Sequence, residues 1–349
     1  MSKKCKTIDL KPLRGLLTRF PTRLSSGYLK RRILTALLVF VVVYVLNFLI
    51  PHLEPGSFIS GMAGQSNLLP EQRAQLMEMF GVNKPLSQQF VDYVFQTFGS
   101  FPPNYGVSFS RYPLTVWAVV SQALPWTLLL VIASQLISWT LGVLAGASLA
   151  WHRGSKADSF LIGISSFMWG VPSYWLATIL IYVLAIKLHW FPPALTGSGV
   201  VTGGFLVQFG TIFSHAFLPI LTLVILNLPV YAVVMRNTMV NVMQEDFMMA
   251  ATVRGLRTRN LIIGHAMRNA LLPSVTNLAL SFGAVLSGAY LVEIIYSYPG
   301  MGYLIQAAVF ARDYPLLQGV FFFSAILVII ANILADLTYV VLDPRVEYY

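Results

Sequence analysis

The sequence predicts an all-α membrane protein that crosses the bilayer six times. Its 349 residues are 56% hydrophobic and only 10% charged, with a mean hydropathy of +0.71, whereas a soluble domain carries roughly 25% charged residues. Six apolar stretches are each long enough for a helix that spans the hydrocarbon core. The basic residues gather in the segments on one side of the predicted membrane, so the net charge of +10 indicates topology rather than a nucleic-acid partner.

The six stretches hold between 18 and 28 residues each, and they are residues 33–50, 124–150, 159–186, 216–235, 271–292 and 316–341. The first follows ten Lys and Arg within residues 1–32, but no small-residue cleavage motif comes after it. We therefore interpret it as a retained helix and not as a signal peptide. Asp336 is the one charge inside the six stretches, and its closeness to Arg345 favours local pairing over proton transfer.

The distribution of basic residues predicts the orientation. With the N-terminus in the cytoplasm, 18 of the 23 Lys and Arg lie on the cytoplasmic side, as the positive-inside rule requires. Both termini are therefore expected in the cytoplasm. The basic extension over residues 1–32 then acts as a topology signal that is also attracted to anionic membrane lipid.

The segments between the spans differ in character. Residues 51–123 form an extracytoplasmic segment with two short predicted helices, at 71–80 and 87–98, of which the second has an apolar face suited to lying on the membrane or capping a pore mouth. Residues 124–349 hold the other five spans and a long cytoplasmic loop over 236–272. Pro172 breaks the third span and Pro219 and Pro229 the fourth, which marks either a cavity or ordinary proline kinks.

Sequence signatures of catalysis are missing. The chain has no Gly-Lys dipeptide and hence no phosphate-binding loop of that type, no His-Glu-x-x-His, and no Gly-x-Ser-x-Gly. Its five histidines do not show metal-ligand spacing, and Cys5 is the only cysteine. These features predict neither an enzyme nor a metal or cofactor site on this chain. An ion-coupled carrier is disfavoured because the spans carry too little buried charge.

The cytoplasmic loop has a mixed composition. Small and apolar residues stand beside Glu245, Asp246 and Arg254, with Gly255 at a bend. This pattern fits short helices that dock onto a partner, and it fits a solvated connecting loop about equally well.

Motifs in this loop and beyond resemble a known family. The motifs are Glu245-Asp246-Phe247, Ala250-Ala251-Thr252-Val253-Arg254-Gly255-Leu256, His265-Ala266-Met267-Arg268-Asn269-Ala270-Leu271-Leu272-Pro273, Glu293-x-x-Tyr296-Ser297-Tyr298-Pro299-Gly300-Met301-Gly302, Arg312-Asp313-Tyr314-Pro315-x-x-Gln318-Gly319 and Asp343-Pro344-Arg345. Together they resemble the dipeptide/oligopeptide/nickel permease family of ABC importers, over essentially everything after residue 33. The chain departs from the general importer pattern at Met249, where that pattern has Glu, at Pro55-Gly56-Ser57, and in its N-terminal extension.

The resemblance implies a type I ABC importer permease fold in the cell (plasma or inner) membrane. It implies one of two permease subunits that form a heterodimeric pore, two cytoplasmic ATPase subunits that bind ATP and Mg, and an extracytoplasmic solute-binding protein. Di- and oligopeptides are the implied substrates, with oligosaccharides or nickel as alternatives within the family.

The resemblance also implies roles for particular residues. Those expected to couple to the ATPase are Glu245, Asp246, Ala250, Ala251, Arg254, Gly255 and Leu256. Arg268 and Asn269 are expected to brace the loop, and Glu293, Arg312 and Asp313 to hold an outer gate or meet the binding protein, with local salt bridges as the alternative. Ser173, Tyr174, Ser281 and Ser287 are candidates for the substrate path.

Overall fold

The computed structural model describes residues 26–53, 71, 84–193, 205–257 and 260–342, most of them in helices. In chain order the helices are α1 (Ser26–Leu53), α2 (Leu86–Phe98), α3 (Val116–Trp151), α4 (Lys156–Trp169), α5 (Ser173–Leu180), α6 (Phe205–Val242), α7 (Asp246–Val253), α8 (Met267–Ile295), α9 (Met301–Phe310) and α10 (Tyr314–Leu342). A π-helical stretch, Ile181–Lys187, continues α5, and another, Leu261–Ala266, leads into α8. The all-α prediction is confirmed for the described residues.

The long apolar helices fit a protein that crosses a membrane several times. By length and composition, four described helices can cross a bilayer, within α1, α3, α6 and α10, and the bent pair of α4 and α5 with its π-helical continuation makes a possible fifth. Helix α8 holds the fifth predicted span but does not count among these. The count of six and the cytoplasmic termini therefore stay predictions.

The third predicted span is two helices and not one. Helices α4 and α5 meet at an angle of 105°. Gly170 ends α4 with its N–H on the Phe167 carbonyl at 3.0 Å, and Pro172 precedes α5 with an extended backbone. Proline cannot donate a backbone hydrogen bond to the preceding turn, so the chain changes direction there. The break that the sequence predicted at this point is confirmed.

Several helices are longer than their predicted spans. Helix α3 begins at Val116, inside the segment predicted to be extracytoplasmic, because the Thr115 hydroxyl accepts a hydrogen bond from the Ala118 N–H at 3.3 Å and caps the helix early. Helix α6 continues to Val242, so it extends into the segment predicted as the cytoplasmic loop. The outer helix predicted at 87–98 is α2, whereas the one predicted at 71–80 lies almost wholly outside the described residues.

Helix α3 runs through the centre of the protein. Its N-terminal, middle and C-terminal thirds contribute buried residues such as Val120, Leu130 and Val143 to three successive hydrophobic clusters. In the third of these α3 lies against α6 almost backbone to backbone. A Cβ at Gly142 would approach the Leu228 carbonyl oxygen to 2.8 Å, and a Cβ at Gly146 would overlap the carbonyl of the α6 residue it faces. Gly142 and Gly146 form a Gly-x-x-x-Gly motif, which allows this close helix contact because glycine has no side chain.

Candidate functional site

Helix α7 carries most of the residues predicted to couple to an ATPase. Glu245 stands at its N-cap with an extended backbone, and its carbonyl accepts the Met248 N–H at 2.9 Å. One face of the helix points into the protein, where Met248 and Ala251 are 5% and 7% exposed and pack into the third hydrophobic cluster. Ala251 therefore attaches α7 to the body of the protein and is not part of an accessible surface.

The opposite face of α7 is exposed and apolar. Met249 and Val253, one helical turn apart, are 68% and 83% exposed. Of the residues predicted to couple to the ATPase, all except Ala251 are exposed, and they are Glu245, Asp246, Ala250, Arg254, Gly255 and Leu256. We call Met249 and Val253 the apolar face of α7. It has the character of a surface that a partner covers.

Gly255 gives the chain its turn after α7. Its φ is +71°, in the left-handed region that glycine adopts without steric cost. Its N–H bonds to the Thr252 carbonyl at 2.9 Å. A Cβ at this position would meet nothing within 4 Å. A larger side chain here would therefore project into open space beside the apolar face of α7.

The residues predicted to brace the loop make only local contacts in the described part of the chain. Arg268 and Asn269 are exposed in the first turn of α8. The Asn269 amide donates to the His265 carbonyl, one helical turn earlier, at 3.1 Å. Bracing by these two residues stays a prediction.

A buried ion pair joins α4 to α6 at the same end of the protein. The Arg236 guanidinium donates from Nε to Asp158 Oδ1 at 2.8 Å and from a terminal nitrogen to Oδ2 at 2.7 Å. The Gly154 N–H adds a third hydrogen bond to the carboxylate at 3.0 Å. The Asp158 and Arg236 side chains are 3% and 14% exposed. We call this pair the Asp158–Arg236 junction.

A second buried carboxylate lies at the opposite end of α3. Asp313 stands between α9 and α10 with no exposed surface. Its Oδ2 accepts hydrogen bonds from the hydroxyls of Ser108 and Ser110, at 2.5 and 2.7 Å, and from the Ser110 N–H at 2.9 Å. Its Oδ1 accepts the Leu316 N–H at 3.1 Å and so caps α10. We call this arrangement the Asp313 junction; hydrogen bonds from uncharged donors hold it.

Glu293 holds the turn between α8 and α9. The side chain is fully buried, and its Oε2 accepts the Gly302 N–H at 2.6 Å. Gly300 lies so close to the carboxylate that any side chain there would overlap it. Tyr298 is buried in the same turn, and burial together with the nearby Glu293 carboxylate raises its pKa, so its phenol stays protonated. In the structure Glu293 fixes this turn and belongs to none of the described ion pairs. Its predicted role at an outer gate or against the binding protein stays a prediction.

The candidate path residues are only partly brought together. Helix α5, which carries half-buried Ser173 and exposed Tyr174, packs against α8, which carries half-buried Ser281. The Ser281 carbonyl accepts a hydrogen bond from the Gln135 amide at 3.4 Å. Ser287 also lies on α8, but its side chain is outside the described residues.

Two polar pairs of the structure were not singled out from the sequence. The Tyr231 hydroxyl donates to Gln135 Oε1 at 2.6 Å, deep between α3 and α6. Gln135 is the one side-chain amide in the apolar stretch 124–150, so the sequence could have indicated it as a polar contact between helices. The sequence indicates Arg236 only as one of the basic residues that set the topology, because no pattern along the chain links it to Asp158, 78 residues away.

Among the described residues, no group of three or more His, Cys, Asp or Glu side chains is arranged to hold a metal ion. The described ion pairs are Arg32–Asp336, Lys84–Asp92 and Arg236–Asp158. Asp336 thus pairs with Arg32 of α1, whereas the sequence suggested Arg345, which is outside the described residues.

Comparisons with known proteins agree with this architecture. Residues 138–348 match the family described as binding-protein-dependent transport system inner membrane component, and residues 26–131 match its N-terminal region. The dipeptide transport system permease protein DppB of Escherichia coli is 31% identical over 341 residues, covering 92% of this chain and 98% of that protein. The di/tripeptide permease protein DppB of Pseudomonas aeruginosa is 32% identical over 337 residues (92% and 99%). The oligopeptide permease protein AppB of Bacillus subtilis is 30% identical over 323 residues (93% and 100%).

Proposed function

This chain belongs to the family of binding-protein-dependent transport system inner membrane components, and from that premise we propose that it forms half of the pore of an ATP-driven importer. It is an integral membrane protein, and the ATP hydrolysis that drives such a system belongs to partner subunits. We further propose that the chain has six spans and cytoplasmic termini. Its proposed partners are a second permease subunit, two ATPase subunits with ATP and Mg, and an extracytoplasmic solute-binding protein.

The apolar face of α7 is the main support for contact with an ATPase subunit. Val253 is 83% exposed and Met249 is 68% exposed, although both lie on a helix whose other face is firmly packed. Exposed apolar side chains on one face of a short helix suit a groove on a partner protein. We infer that the ATPase covers this face and that Glu245, Asp246, Ala250, Arg254 and Leu256 surround the contact.

The packing around α7 supports transmission of a movement into the membrane. Met248 and Ala251 lie in one cluster with Val143 of α3, Met239 of α6 and Ala270 of α8. A displacement of α7 by the ATPase would therefore be transmitted to all three of these long helices, because close-packed interiors transmit strain. Gln135 and Tyr231 connect two of these helices further along, next to Ser281.

At the other end of α3, the rigid turns are candidates for the outer gate. Glu293 fixes the turn between α8 and α9, and the Asp313 junction fixes α10 to the loop over residues 108–110. In this proposal both turns face the binding protein and move as units with the helices that carry them.

The relatives suggest the substrate. The three described above are named for dipeptides, di/tripeptides and oligopeptides. We propose that this chain carries di- or oligopeptides, and oligosaccharides or nickel are the alternatives to be excluded by assay. Ser173, Tyr174, Ser281 and Ser287 are proposed to lie along the path.

The coupling proposal is tested with Val253→Glu in the complex purified with its partners. We expect the variant to insert and fold normally, because the side chain is largely exposed. Burying an unpaired carboxylate at the contact should reduce both co-purification of the ATPase and substrate-stimulated ATP hydrolysis at least about tenfold, since unpaired buried charges cost more than about 1.4 kcal/mol.

Val253→Ile is the matched control, since it keeps an apolar side chain of similar shape. Gly255→Leu, which adds bulk beside the same face, should likewise uncouple ATP hydrolysis from uptake while leaving insertion intact. Undiminished ATP-driven uptake in both Val253→Glu and Gly255→Leu would refute docking at α7.

A further inference from the structure

A groove lies where the end of α1, the end of α9 and the start of α10 meet. Its volume is about 490 Å³, within the range of roughly 300–1,000 Å³ that is usual for small-molecule sites. Most of its described lining is apolar and includes Ile50, Leu53, Val309, Leu317 and Phe321. Arg312 is the one charged side chain among the described lining residues.

The walls of the groove continue the membrane-facing surface. Ile50 and Leu53 are 54% and 77% exposed, and Val309 is 53% exposed. The candidate spans 30–50 and 314–338 both end at this groove. The groove therefore lies at the boundary between hydrocarbon and water, and its apolar side chains are accessible to membrane lipid. An acyl chain matches these walls.

Arg312 provides the complementary charge. Its side chain is exposed at the junction of α9 and α10, and none of the described ion pairs includes it. The adjacent carboxylate of Asp313 is fully buried and engaged with Ser108 and Ser110. The charge at the groove is thus an exposed cation, and an arginine favours phosphate because its planar donors can contact two oxygens together.

The backbone at Arg312 indicates that its side chain matters. Helix α9 ends in a Schellman motif, in which the Arg312 N–H bonds to the Val309 carbonyl at 3.1 Å and the Asp313 N–H to the Ala308 carbonyl at 2.9 Å. Arg312 takes the left-handed position of this motif with φ +50°, where glycine is the usual residue. A strained arginine where glycine would be easier points to a use for the guanidinium.

We propose that this groove binds one anionic phospholipid, with an acyl chain along Ile50, Leu53, Leu317 and Phe321 and the phosphate on the Arg312 guanidinium. The lipid would join α1 to the turn between α9 and α10. This site is separate from the apolar face of α7 and does not depend on the transport proposal.

The test is native mass spectrometry of the purified complex, stripped of lipid in a neutral detergent. Phosphatidylglycerol is added as the anionic lipid. Phosphatidylcholine with the same acyl chains, which is zwitterionic and carries no net charge, is added for comparison. We expect the unmodified complex to retain phosphatidylglycerol preferentially. Arg312→Gln should lower that preference at least about tenfold, the effect expected for loss of a charge-assisted hydrogen bond.

Three further variants separate the lipid contact from folding. Arg312→Gly relieves the backbone strain, so it should fold at least as well and still lose the preference. Arg312→Lys keeps the charge and should retain part of it. Arg111→Gln removes an exposed cation that is not among the described lining residues, and it should change nothing. Inorganic phosphate at the same concentration should not displace the lipid.

Three results would overturn the proposal. The first is equal retention of both lipids by the unmodified complex, and the second is an unchanged preference in Arg312→Gly. The third is an Arg312 variant that keeps its lipid but loses affinity for the solute-binding protein, which would assign Arg312 to a protein contact. None of these results affects the coupling proposal, because none of the measurements uses ATP or substrate.

Discussion

The two buried carboxylates at opposite ends of α3 are held in different ways. Asp313 accepts four hydrogen bonds, all from uncharged groups, and three of them come from a single short loop. Asp158 is paired with the guanidinium of Arg236, which lies on another long helix. Both side chains are almost inaccessible to solvent.

The difference separates two kinds of joint. At the Asp313 junction, several short, directional bonds fix a helix start and a loop in a single arrangement, so the region should move as one piece. At the Asp158–Arg236 junction, the polar link between α4 and α6 is one ion pair, and loss of either partner leaves the other charge buried and unpaired. The second kind is better suited to a region that rearranges during transport. The following variants test this contrast, in order of expected effect.

The largest effect is expected for Gly146→Leu, which would force apart the helices that position Arg236. A side chain at Gly146 overlaps the backbone of α6, and its Cβ would lie 3.0 Å from the Arg236 N–H nitrogen. Overpacking typically costs about 1–3 kcal/mol and occasionally more, and an overlap with backbone, which cannot move aside as a side chain can, places this change at the upper end. Folded protein should therefore be lost, as judged by size-exclusion chromatography in detergent. Gly163→Leu is the control, because a Cβ at Gly163 meets nothing within 4 Å. Normal folding of Gly146→Leu would contradict the close packing.

A smaller but still large effect is expected for Asp313→Ala. The change removes the cap of α10 and leaves the buried Ser108 hydroxyl without its acceptor, for an expected loss of about 2–4 kcal/mol. Thermal unfolding in detergent measures it. Asp313→Asn keeps one acceptor oxygen and should fall in between. If Asp313→Ala unfolds at the same temperature as the unmodified protein, the Asp313 junction is not a rigid anchor.

Arg236→Ala should cost less, about 2 kcal/mol, because the pair lies between the fully buried and the exposed limits of ion-pair energetics. The double variant Asp158→Ala/Arg236→Ala should recover much of that loss, since no unpaired charge remains. Thermal unfolding of both single variants and the double variant gives the coupling energy. A double variant as unstable as the sum of the singles would show that the ion pair contributes nothing.

The sequence predicted the architecture more completely than the contacts. Long uncharged stretches identify membrane helices because hydrocarbon excludes charge, and Gly170 and Pro172 reveal the break in the third span because their backbone chemistry is local. The placement of the α7 motif on a short helix was also predictable.

Long-range pairings were not predictable in the same way. Asp313 meets Ser108 across 205 positions, and Asp158 meets Arg236 across 78. No periodicity in a single chain encodes such pairings, which arise only when the helices pack. Likewise, the family resemblance implied the same role for Ala250 and Ala251, yet the helix exposes Ala250 and buries Ala251.

The length of α6 has a mechanical consequence. Its 38 residues extend about 57 Å at 1.5 Å per residue, nearly twice the roughly 30 Å thickness of the hydrocarbon core. The glycine contact packs α6 closely against α3, which is almost as long. The paired helices therefore resist bending more than either helix would alone. Pro229 lies within this contact, next to Leu228, whereas Pro219 lies outside it, toward the start of α6. In the coupling proposal, a push applied at the α7 end would therefore be carried along the paired helices, and bending would be concentrated beyond the contact, around Pro219.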